Sequence, residues 1–247
     1  MHKFFVEESA IDNDRINITG KDVKHIRDVL RLRINDNIIL SSNGMNYSCT
    51  IEEILKDKVT AKITDKEKGK HEPDIEIILY QGLAKSNKMD FIIQKGTEIG
   101  IKDFFPVVTG RAVVKIKDIN KEQTKVDRWN LISEEAAKQS KRDYIPKINR
   151  ILSFDDMCDL LKDEENIIVP YEDEDNLTIG KSLETITKGR IHLIIGPEGG
   201  FEKEEIIKLK EIGGKIVTLG PRILRTETAG FVAATIILFG LGDLGVI

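Results

Sequence analysis

Apolar and polar residues alternate in two different ways along this chain of 247 residues. In its first part, short β-prone runs are separated by Asn, Asp and Gly, and the Asn-Gly pair at 43–44 is typical of a hairpin turn. One helical stripe interrupts these runs, because Val23, Ile26 and Leu30 have the spacing of one helix face over 22–32. The predicted strands cover residues 4–6, 37–41, 46–54 and 58–64. Together they predict a small β-barrel with one helix.

Beyond a charged segment at 64–74, which we predict to be a linker, apolar strands alternate with amphipathic helices. The predicted strands cover 75–81, 103–108, 167–170, 191–195 and 216–219, and the predicted helices cover 89–99, 127–141, 202–212 and 226–239. This alternation predicts a mostly parallel sheet with helices on both faces. The sequence thus predicts an α/β protein with a small domain over 1–70 and a larger one over 73–247.

Charge and composition narrow the class of protein. Residues 1–150 carry a net charge of +4 and residues 151–247 a net charge of −8, an asymmetry that prompts a search for a polyanionic partner without establishing one. Two distant cysteines and four scattered histidines argue against structural zinc and disulfides. The N-terminus lacks the apolar segment of a signal peptide, and the apolar run at 229–241 is shorter than the roughly 20 residues that span a bilayer. We expect a cytoplasmic protein with no metal and no membrane segment.

The motif GPEGGF (196–201) follows a fully apolar strand and precedes a helix. Ligands of open α/β sheets bind beyond the carboxyl ends of strands, and glycines there allow close backbone approach. A tight turn without a ligand would have the same pattern. Glu198 and the glutamates that open the next helix would repel an anion. A phosphate-free nucleoside with a sulfonium cation therefore fits this turn better than a nucleotide pyrophosphate.

A second turn, LGPRILRTETA (219–229), also follows a strand that ends in Gly-Pro. The next helix starts at a Thr-Glu-Thr segment, in which Thr226 and Thr228 are candidate caps. The body of this helix is apolar nearly all round, which predicts burial on several sides, partly against a second subunit.

These two motifs, about twenty residues apart, resemble the cofactor-binding region of SPOUT methyltransferases. More narrowly, they resemble the RsmE family, ribosomal RNA small subunit methyltransferase E, which makes N3-methyluridine in 16S ribosomal RNA. The segments KHIRDVLRL (24–32), QGLAK (81–85) and EAAKQS (135–140) are similar to further blocks of that family, in the same order.

The resemblance implies an N-terminal PUA-like β-barrel and a C-terminal SPOUT α/β domain with a trefoil knot. It also implies a homodimer and S-adenosylmethionine as cofactor, bound in a bent shape by three loops. The first of these loops continues as the unusually acidic YEDED (171–175). The implied cofactor-binding residues are Pro170, Ile195, Gly196, Pro197, Glu198, Gly199, Gly200, Leu219, Gly220, Leu224, Arg225, Thr226, Thr228 and Ala229.

Cationic side chains indicate where RNA would bind. Lys24, Arg27 and Arg31 have the spacing of one helix face, with His25 beside them, and could track a phosphate backbone or form a solvated charged face. A second group ends the helix predicted over 127–141 and comprises Lys138, Lys141 and Arg142. Lys85, Lys88 and Arg111 are candidates that the resemblance alone implies.

Methyl transfer from a sulfonium is an in-line displacement that needs no metal, so the enzyme must align the reacting atoms. Uracil N3 is a poor nucleophile while it holds its proton. Arg225 could stabilise charge on the uracil oxygens, and Glu227 or water could take the proton. Alternatively, Glu227 only caps its helix.

Three other functions remain to be weighed. A Rossmann-type methyltransferase would have its glycine loop after the first strand of the domain, whereas these glycines lie in the last quarter of the chain. A non-catalytic RNA-binding ribosome assembly factor would not need both motifs intact. A SPOUT methyltransferase acting on transfer RNA would have the same residues.

Overall fold

The structure is a computed structural model that describes residues 1–112, 122–186 and 189–245. Two compact units form within it. The first comprises Met1–Glu72 with Ala137–Ile145, and the second comprises Pro73–Ala136 with Pro146–Ile247. The first unit therefore includes residues 137–145, which comprise the last residues of a helix and the segment after it, whereas the prediction of domains 1–70 and 73–247 assigns them to the larger domain.

The first unit is built on one sheet with the strand order β1-β4-β5-β6-β3-β2. Its strands are β1 (His2–Phe5), β2 (Ile11–Asp12), β3 (Arg15–Thr19), β4 (Asn37–Ser42), β5 (Met45–Ile54) and β6 (Lys58–Lys68). The four predicted strands are confirmed, whereas β2 and β3 were not predicted. The linker prediction of 64–74 is wrong at its start, because β6 stays paired with β5 as far as Lys68.

One helix packs on this sheet, and it is shorter than predicted. The helix α1 (Lys21–Lys24) continues as one π-helical turn over His25–Val29. Leu30 and Leu32 turn back to pack partly against the core, and Arg31 between them has a left-handed φ of 53°. The predicted helix over 22–32 is therefore wrong beyond Val29.

Asp143 links the segment Ala137–Ile145 to the rest of the first unit by an ion pair and hydrogen bonds. Its fully buried carboxylate pairs with the Lys3 ammonium and accepts hydrogen bonds from Asn46 Nδ2 at 2.7 Å and from the backbone N–H of His71 at 2.8 Å. Burial alone would raise the pKa of Asp143, but these donors outweigh burial and lower it to about 2. The carboxylate is therefore ionised at neutral pH and fully satisfied.

The second unit contains a parallel sheet with the strand order β10-β8-β7-β12-β11-β13, to which β9 adds beside β8. Its strands are β7 (Glu76–Gly82), β8 (Asp103–Val108), β9 (Lys147–Ile148), β10 (Leu152–Ser153), β11 (Ile167–Pro170), β12 (Arg190–Ile195) and β13 (Lys215–Val217). Its helices are α2 (Ser86–Ile99), α3 (Gln123–Gln139), α4 (Phe154–Leu161), α5 (Ile179–Leu183), α6 (Lys203–Glu211) and α7 (Thr226–Gly240). The predicted parallel α/β architecture is confirmed.

Both faces of this sheet are buried, which explains why its strands are apolar at nearly every position. On β7, Ile77 and Leu79 belong to the core with α2, α3, α5 and α7, whereas Ile78 and Tyr80 belong to the core with α4 and α6. The chain leaves the sheet at the carboxyl ends of β11, β12 and β13, which lie side by side because the strands are parallel. In the described part of the chain, no helix is long and apolar enough to cross a membrane.

We predict that Asp143→Asn lowers the Tm at pH 7 by roughly 5 to 10 °C, because removing one partner of a buried ion pair costs about 3 kcal/mol. The pKa of Asp143 is depressed in the folded state, so its stabilisation is present above the pKa of an unfolded Asp, about 3.9. It is lost as the pH falls through about 2. Thermal melts should therefore show a difference between variant and wild type that shrinks towards pH 2.

The matched control is Asp28→Asn, since Asp28 pairs with Arg27 on the surface and is about half exposed. An exposed ion pair is screened by solvent and contributes little to stability, so this Tm should barely change. A pH-independent loss in Asp143→Asn would contradict the ionised state of Asp143.

Candidate active site

A cavity of about 390 Å³ lies beyond the carboxyl ends of β11, β12 and β13. Three segments and one side chain of α2, Lys88, line it. The lining residues after β11 are Pro170, Tyr171, Glu172 and Asp175. Those at the end of β12 and after it are Ile195, Gly196, Pro197, Glu198, Gly200 and Phe201. Those after β13 are Thr218, Leu219, Gly220, Pro221, Arg222, Ile223, Leu224, Arg225, Thr226 and Ala229.

Two glycines allow the turn after β12, residues 196–200, to fit against its neighbours: one is Gly82 on β7 and the other is Gly200 in the turn itself. Gly82 at the end of β7 lies so close to this turn that an added Cβ would be 2.5 Å from the backbone nitrogen of Pro197. Gly200 has a φ of 68°, which favours glycine, and the Glu172 carboxylate lies directly over it. The turn therefore fits tightly against its neighbours on both sides.

A buried hydrogen-bond network joins this turn to the start of α7. Gln81, which is 1% exposed, donates from Nε2 to Thr226 Oγ1 at 2.9 Å. Thr226 Oγ1 in turn donates to the Gly196 carbonyl at 2.6 Å. The two glycine-rich turns are thus held together by one amide and one hydroxyl, which fixes the shape of the cavity.

This network corrects the predicted cap of α7. The helix begins at Thr226 as predicted, but the N-cap residue is Arg225, and its side chain makes no capping hydrogen bond within the described chain. The Thr226 hydroxyl binds Gly196 instead of the free N–H groups of its own helix. Its role is therefore tertiary and not local capping.

Three charged side chains meet beside the cavity. Lys88 Nζ lies 3.4 Å from Glu198 Oε1 and 3.1 Å from Glu227 Oε2. Burial alone would lower the pKa of Lys88, but the two carboxylates raise it above its usual value. Burial alone would raise the pKa of Glu227, but its own backbone N–H and the Lys88 ammonium outweigh burial and lower it. Lys88 and Glu227 are therefore both charged at neutral pH.

Most predicted cofactor-binding residues line the cavity. Two of them, and one of the two predicted catalytic residues, do not. Gly199, Glu227 and Thr228 lie outside its lining in the part of the chain that the structure describes. Gly199 faces Arg111, whose Nη1 donates to the Gly199 carbonyl at 3.3 Å. The lining residue Lys88 was predicted only as an RNA contact.

The predicted RNA-binding residues of the first unit do not form one helix face, because the π-helical turn and the end at Val29 change their directions. Lys24, His25 and Arg31 are exposed. Arg27 is partly buried, pairs with Asp28 and donates to the Lys56 carbonyl at 3.0 Å.

Among the other RNA candidates, Arg142 is a correction. It is 3% exposed, and its guanidinium is held by the Glu72 carboxylate, so it has a structural role in the first unit and does not face RNA. Lys138 lies 3.9 Å from Asp22 with its side chain 27% exposed. Lys85 and Arg111 are exposed.

Comparisons with known proteins define the class. A family model described as "RNA methyltransferase domain" matches residues 71–238, and one described as "RNA methyltransferase PUA domain" matches residues 18–64. The fold and the cavity are therefore those of an RNA methyltransferase with a PUA domain.

Its relatives define the family. The chain is 35% identical to ribosomal RNA small subunit methyltransferase E of Bacillus subtilis, over 97% of this chain and 96% of that protein. It is 33% identical to the protein of the same name from Aquifex aeolicus, over 93% and 95% of the two chains. A solved structure of this enzyme from Neisseria gonorrhoeae, bound to S-adenosyl methionine, is 28% identical with a TM-score of 0.82 and covers 97% of each chain. The chain belongs to the ribosomal RNA small subunit methyltransferase E family, so the predicted resemblance is confirmed.

We predict that Gly82→Ala displaces the turn 196–200, because its Cβ would collide with backbone atoms of Pro197 and Gly196, which cannot rotate away. Overpacking of this kind costs about 1 to 3 kcal/mol, and thermal melts should show it as a lower Tm. The matched control is Gly180→Ala in α5, where an added Cβ meets no atom within 4 Å. Its Tm should be unchanged or higher. Equal Tm values for both variants would contradict the tight fit of the turn.

Proposed function

We infer that this protein transfers the methyl group of S-adenosylmethionine to N3 of a uridine in 16S ribosomal RNA. The observation that supports this most is the cavity between the two glycine-rich turns, which combines carboxylates with close backbone approach. Family membership supports the same activity, since the relatives carry the name ribosomal RNA small subunit methyltransferase E. The position of the uridine in the RNA is not part of the proposal.

The chemistry of the cavity fits a cationic, phosphate-free cofactor. Glu172, Asp175 and Glu198 contribute carboxylates to its lining. The helix α6 starts beside it, but the N–H of its N-cap residue Glu202 already donates to the Glu205 carboxylate at 2.8 Å, and the carboxylates of Glu202 and Glu205 at this helix start would repel a phosphate. A helix N-terminus that often binds anions is therefore already neutralised here.

Residues of all three segments would hold the cofactor. The lining includes twelve of the predicted contacts, from Pro170 through the turn after β12 to Ala229, and we retain Gly199 and Thr228 as residues that support these turns. When bound, S-adenosylmethionine supplies an electrophilic methyl group on sulfur. The chain contributes alignment, because the network of Gln81, Thr226 and Gly196 fixes the two turns relative to each other.

Arg225 is the residue that stabilises developing charge on the uracil oxygens. It lines the cavity and is exposed, so its guanidinium can reach a base that enters from solvent. The RNA backbone is bound by basic residues of each unit. We assign this role to Lys24, His25, Arg27, Arg31, Lys85, Arg111 and Lys138. In this assignment residues 1–70 form the RNA-binding domain and residues 73–247 the catalytic domain.

The protein acts as a cytoplasmic homodimer whose catalytic domain has a trefoil knot. The knot rests on the family resemblance. The homodimer is supported by an apolar face on α7 and α2, on which Phe239 is 67% and Phe91 is 43% exposed. Phe91 contacts Phe231 edge to face, with ring centroids 5.6 Å apart. Aromatic side chains clustered on a surface are typical of a subunit interface.

The proposed function is tested by incubating the protein with S-adenosylmethionine and small ribosomal subunits, naked 16S RNA or transfer RNA that lack the modification. Mass spectrometry of RNA digests should then show N3-methyluridine in 16S RNA. Arg225→Ala should lower kcat by about 100-fold or more, a much larger factor than any rise in the Kd for the cofactor measured by calorimetry.

Each alternative has its own outcome in this experiment. Methylation confined to transfer RNA would identify a SPOUT enzyme with another substrate. No heat of cofactor binding would identify a non-catalytic assembly factor. Full turnover of Arg225→Ala would refute its role in charge stabilisation.

We predict that Phe239→Glu converts a dimer to a monomer, because it places a charge on the apolar face. Light scattering should give the mass of two chains for the wild type and of one chain for the variant. Ile207→Glu on α6 is the control, since Ile207 is also exposed, at 57%, but lies outside this face. A wild-type monomer at micromolar concentration would contradict the homodimer.

A further inference from the structure

One carboxylate oxygen beside the cavity lacks a hydrogen-bond donor. Glu198 Oε1 accepts from the backbone N–H of Lys85 at 3.2 Å and lies 3.4 Å from Lys88 Nζ. Glu198 Oε2 is buried and has no hydrogen-bond partner among the described residues. A buried polar atom left in this state costs about 1 to 3 kcal/mol. Because Glu198 lines the cavity, the missing donor can be supplied by a ligand.

Glu227, the carboxylate that the sequence indicated as a proton acceptor, is less suitable. It does not line the cavity, and its Oε2 already faces the Lys88 ammonium at 3.1 Å. Its pKa is lowered, so it binds a proton less readily than an ordinary glutamate. Glu198 and Glu227 each have a buried Oε2 that no hydrogen-bond donor among the described residues contacts. Geometry separates them, because Glu198 lines the cavity, whereas Glu227 does not and its Oε2 lies 3.1 Å from the Lys88 ammonium.

We propose that Glu198 is the catalytic carboxylate that accepts the N3 proton of the target uracil, and that Lys88 is the residue that positions it. This proposal rests on the proposed methylation of uridine N3. The N3–H group of the uracil is a suitable donor to this free oxygen, because its proton has to leave N3 as the methyl group arrives.

The step balances without any further reactant. Glu198 Oε2 takes the N3 proton and becomes a neutral carboxylic acid. The electron pair left on N3 forms the bond to the methyl carbon, and the electron pair of the broken sulfur–carbon bond stays on sulfur, which becomes a neutral thioether. The charge of the carboxylate and the charge of the sulfonium thus disappear together, and the proton then passes to solvent.

Lys88 determines which oxygen of Glu198 stays free. Its ammonium bridges Glu198 and Glu227, and together with the Lys85 N–H it engages Oε1 only. Oε2 is left without a hydrogen-bond partner among the described residues. Lys88 acts through Glu198 and is therefore a positioning residue.

The first test is Glu198→Gln, which keeps the shape and one acceptor oxygen but places an N–H donor where Oε2 lies. We expect kcat to fall about 100-fold or more, a much larger factor than the rise in the Kd for S-adenosylmethionine that follows from losing one lining carboxylate. Formate should restore part of the activity of Glu198→Ala, which a structural defect would not allow. The matched control is Glu98→Gln, since Glu98 pairs with Lys95 at 2.8 Å on the same helix as Lys88. Its kcat should be unchanged.

The second test measures binding without turnover. An RNA hairpin with the target uridine and its N3-methylated copy are titrated in the presence of S-adenosylhomocysteine. The wild type should bind the unmethylated RNA at least fivefold more tightly, because only that RNA offers an N3–H to Glu198. Both Glu198→Gln and Lys88→Met should lose this preference, and Lys88→Arg should retain part of it.

Two results would overturn the proposal. One is full turnover of Glu198→Gln on a substrate that the wild type methylates at N3. The other is a loss of cofactor affinity in that variant with kcat retained, which would make Glu198 a cofactor contact without a role in proton transfer. Failure of the proposed function is distinct, because the wild type itself would then give no N3-methyluridine.

Discussion

The site depends on the buried hydrogen bonds among Gln81, Thr226 and Gly196. They join the end of β7, the turn after β12 and the first residue of α7, which are far apart in the sequence. Inside a protein such bonds are strong, and leaving any of these groups unpaired would be costly. The two turns are therefore fixed relative to each other before a ligand arrives. The cavity is a consequence of that constraint, because its lining comes from both turns.

Periodicity predicted the longer elements of the parallel unit, since its central strands are buried on both faces and its long helices have apolar stripes. It did not predict the short elements β9, β10, α4 and α5. It failed where tertiary contacts decide the local structure. The strand β3, RINIT, has buried Ile16 and Ile18 in alternation, a signal that is too short to stand out until β6 pairs with it. The helix end at Val29 was missed because Leu30 and Leu32 gain core contacts by leaving the helix.

The sequence predicts the site residues that lie within its two motifs better than those that reach the site from distant parts of the chain. The glycines and Glu198 lie in two motifs that a reader of the sequence can find. Gln81 and Lys88 precede those motifs by more than a hundred residues and enter the site only because β7 pairs with β12. Nor does any local pattern indicate that Arg142 is buried against Glu72, since a cation at a helix end is normally solvated. Long-range pairing is the information that the sequence does not display.

The charges around the cavity follow one electrostatic logic. An enzyme that binds a phosphate typically leaves the start of a helix and a lysine side chain available for the anion. Here Glu202 and Glu205 form a capping box at the start of α6, and Lys88 pairs with Glu198 and Glu227. The groups that would attract an anion are thereby neutralised by the protein itself. The carboxylates of Glu172 and Asp175 remain in the lining, and they attract a cationic methyl donor before the reaction but not its neutral product, whereas Glu198 Oε2 is left for the uracil proton. The same arrangement therefore favours binding of the reactant and release of the neutral thioether.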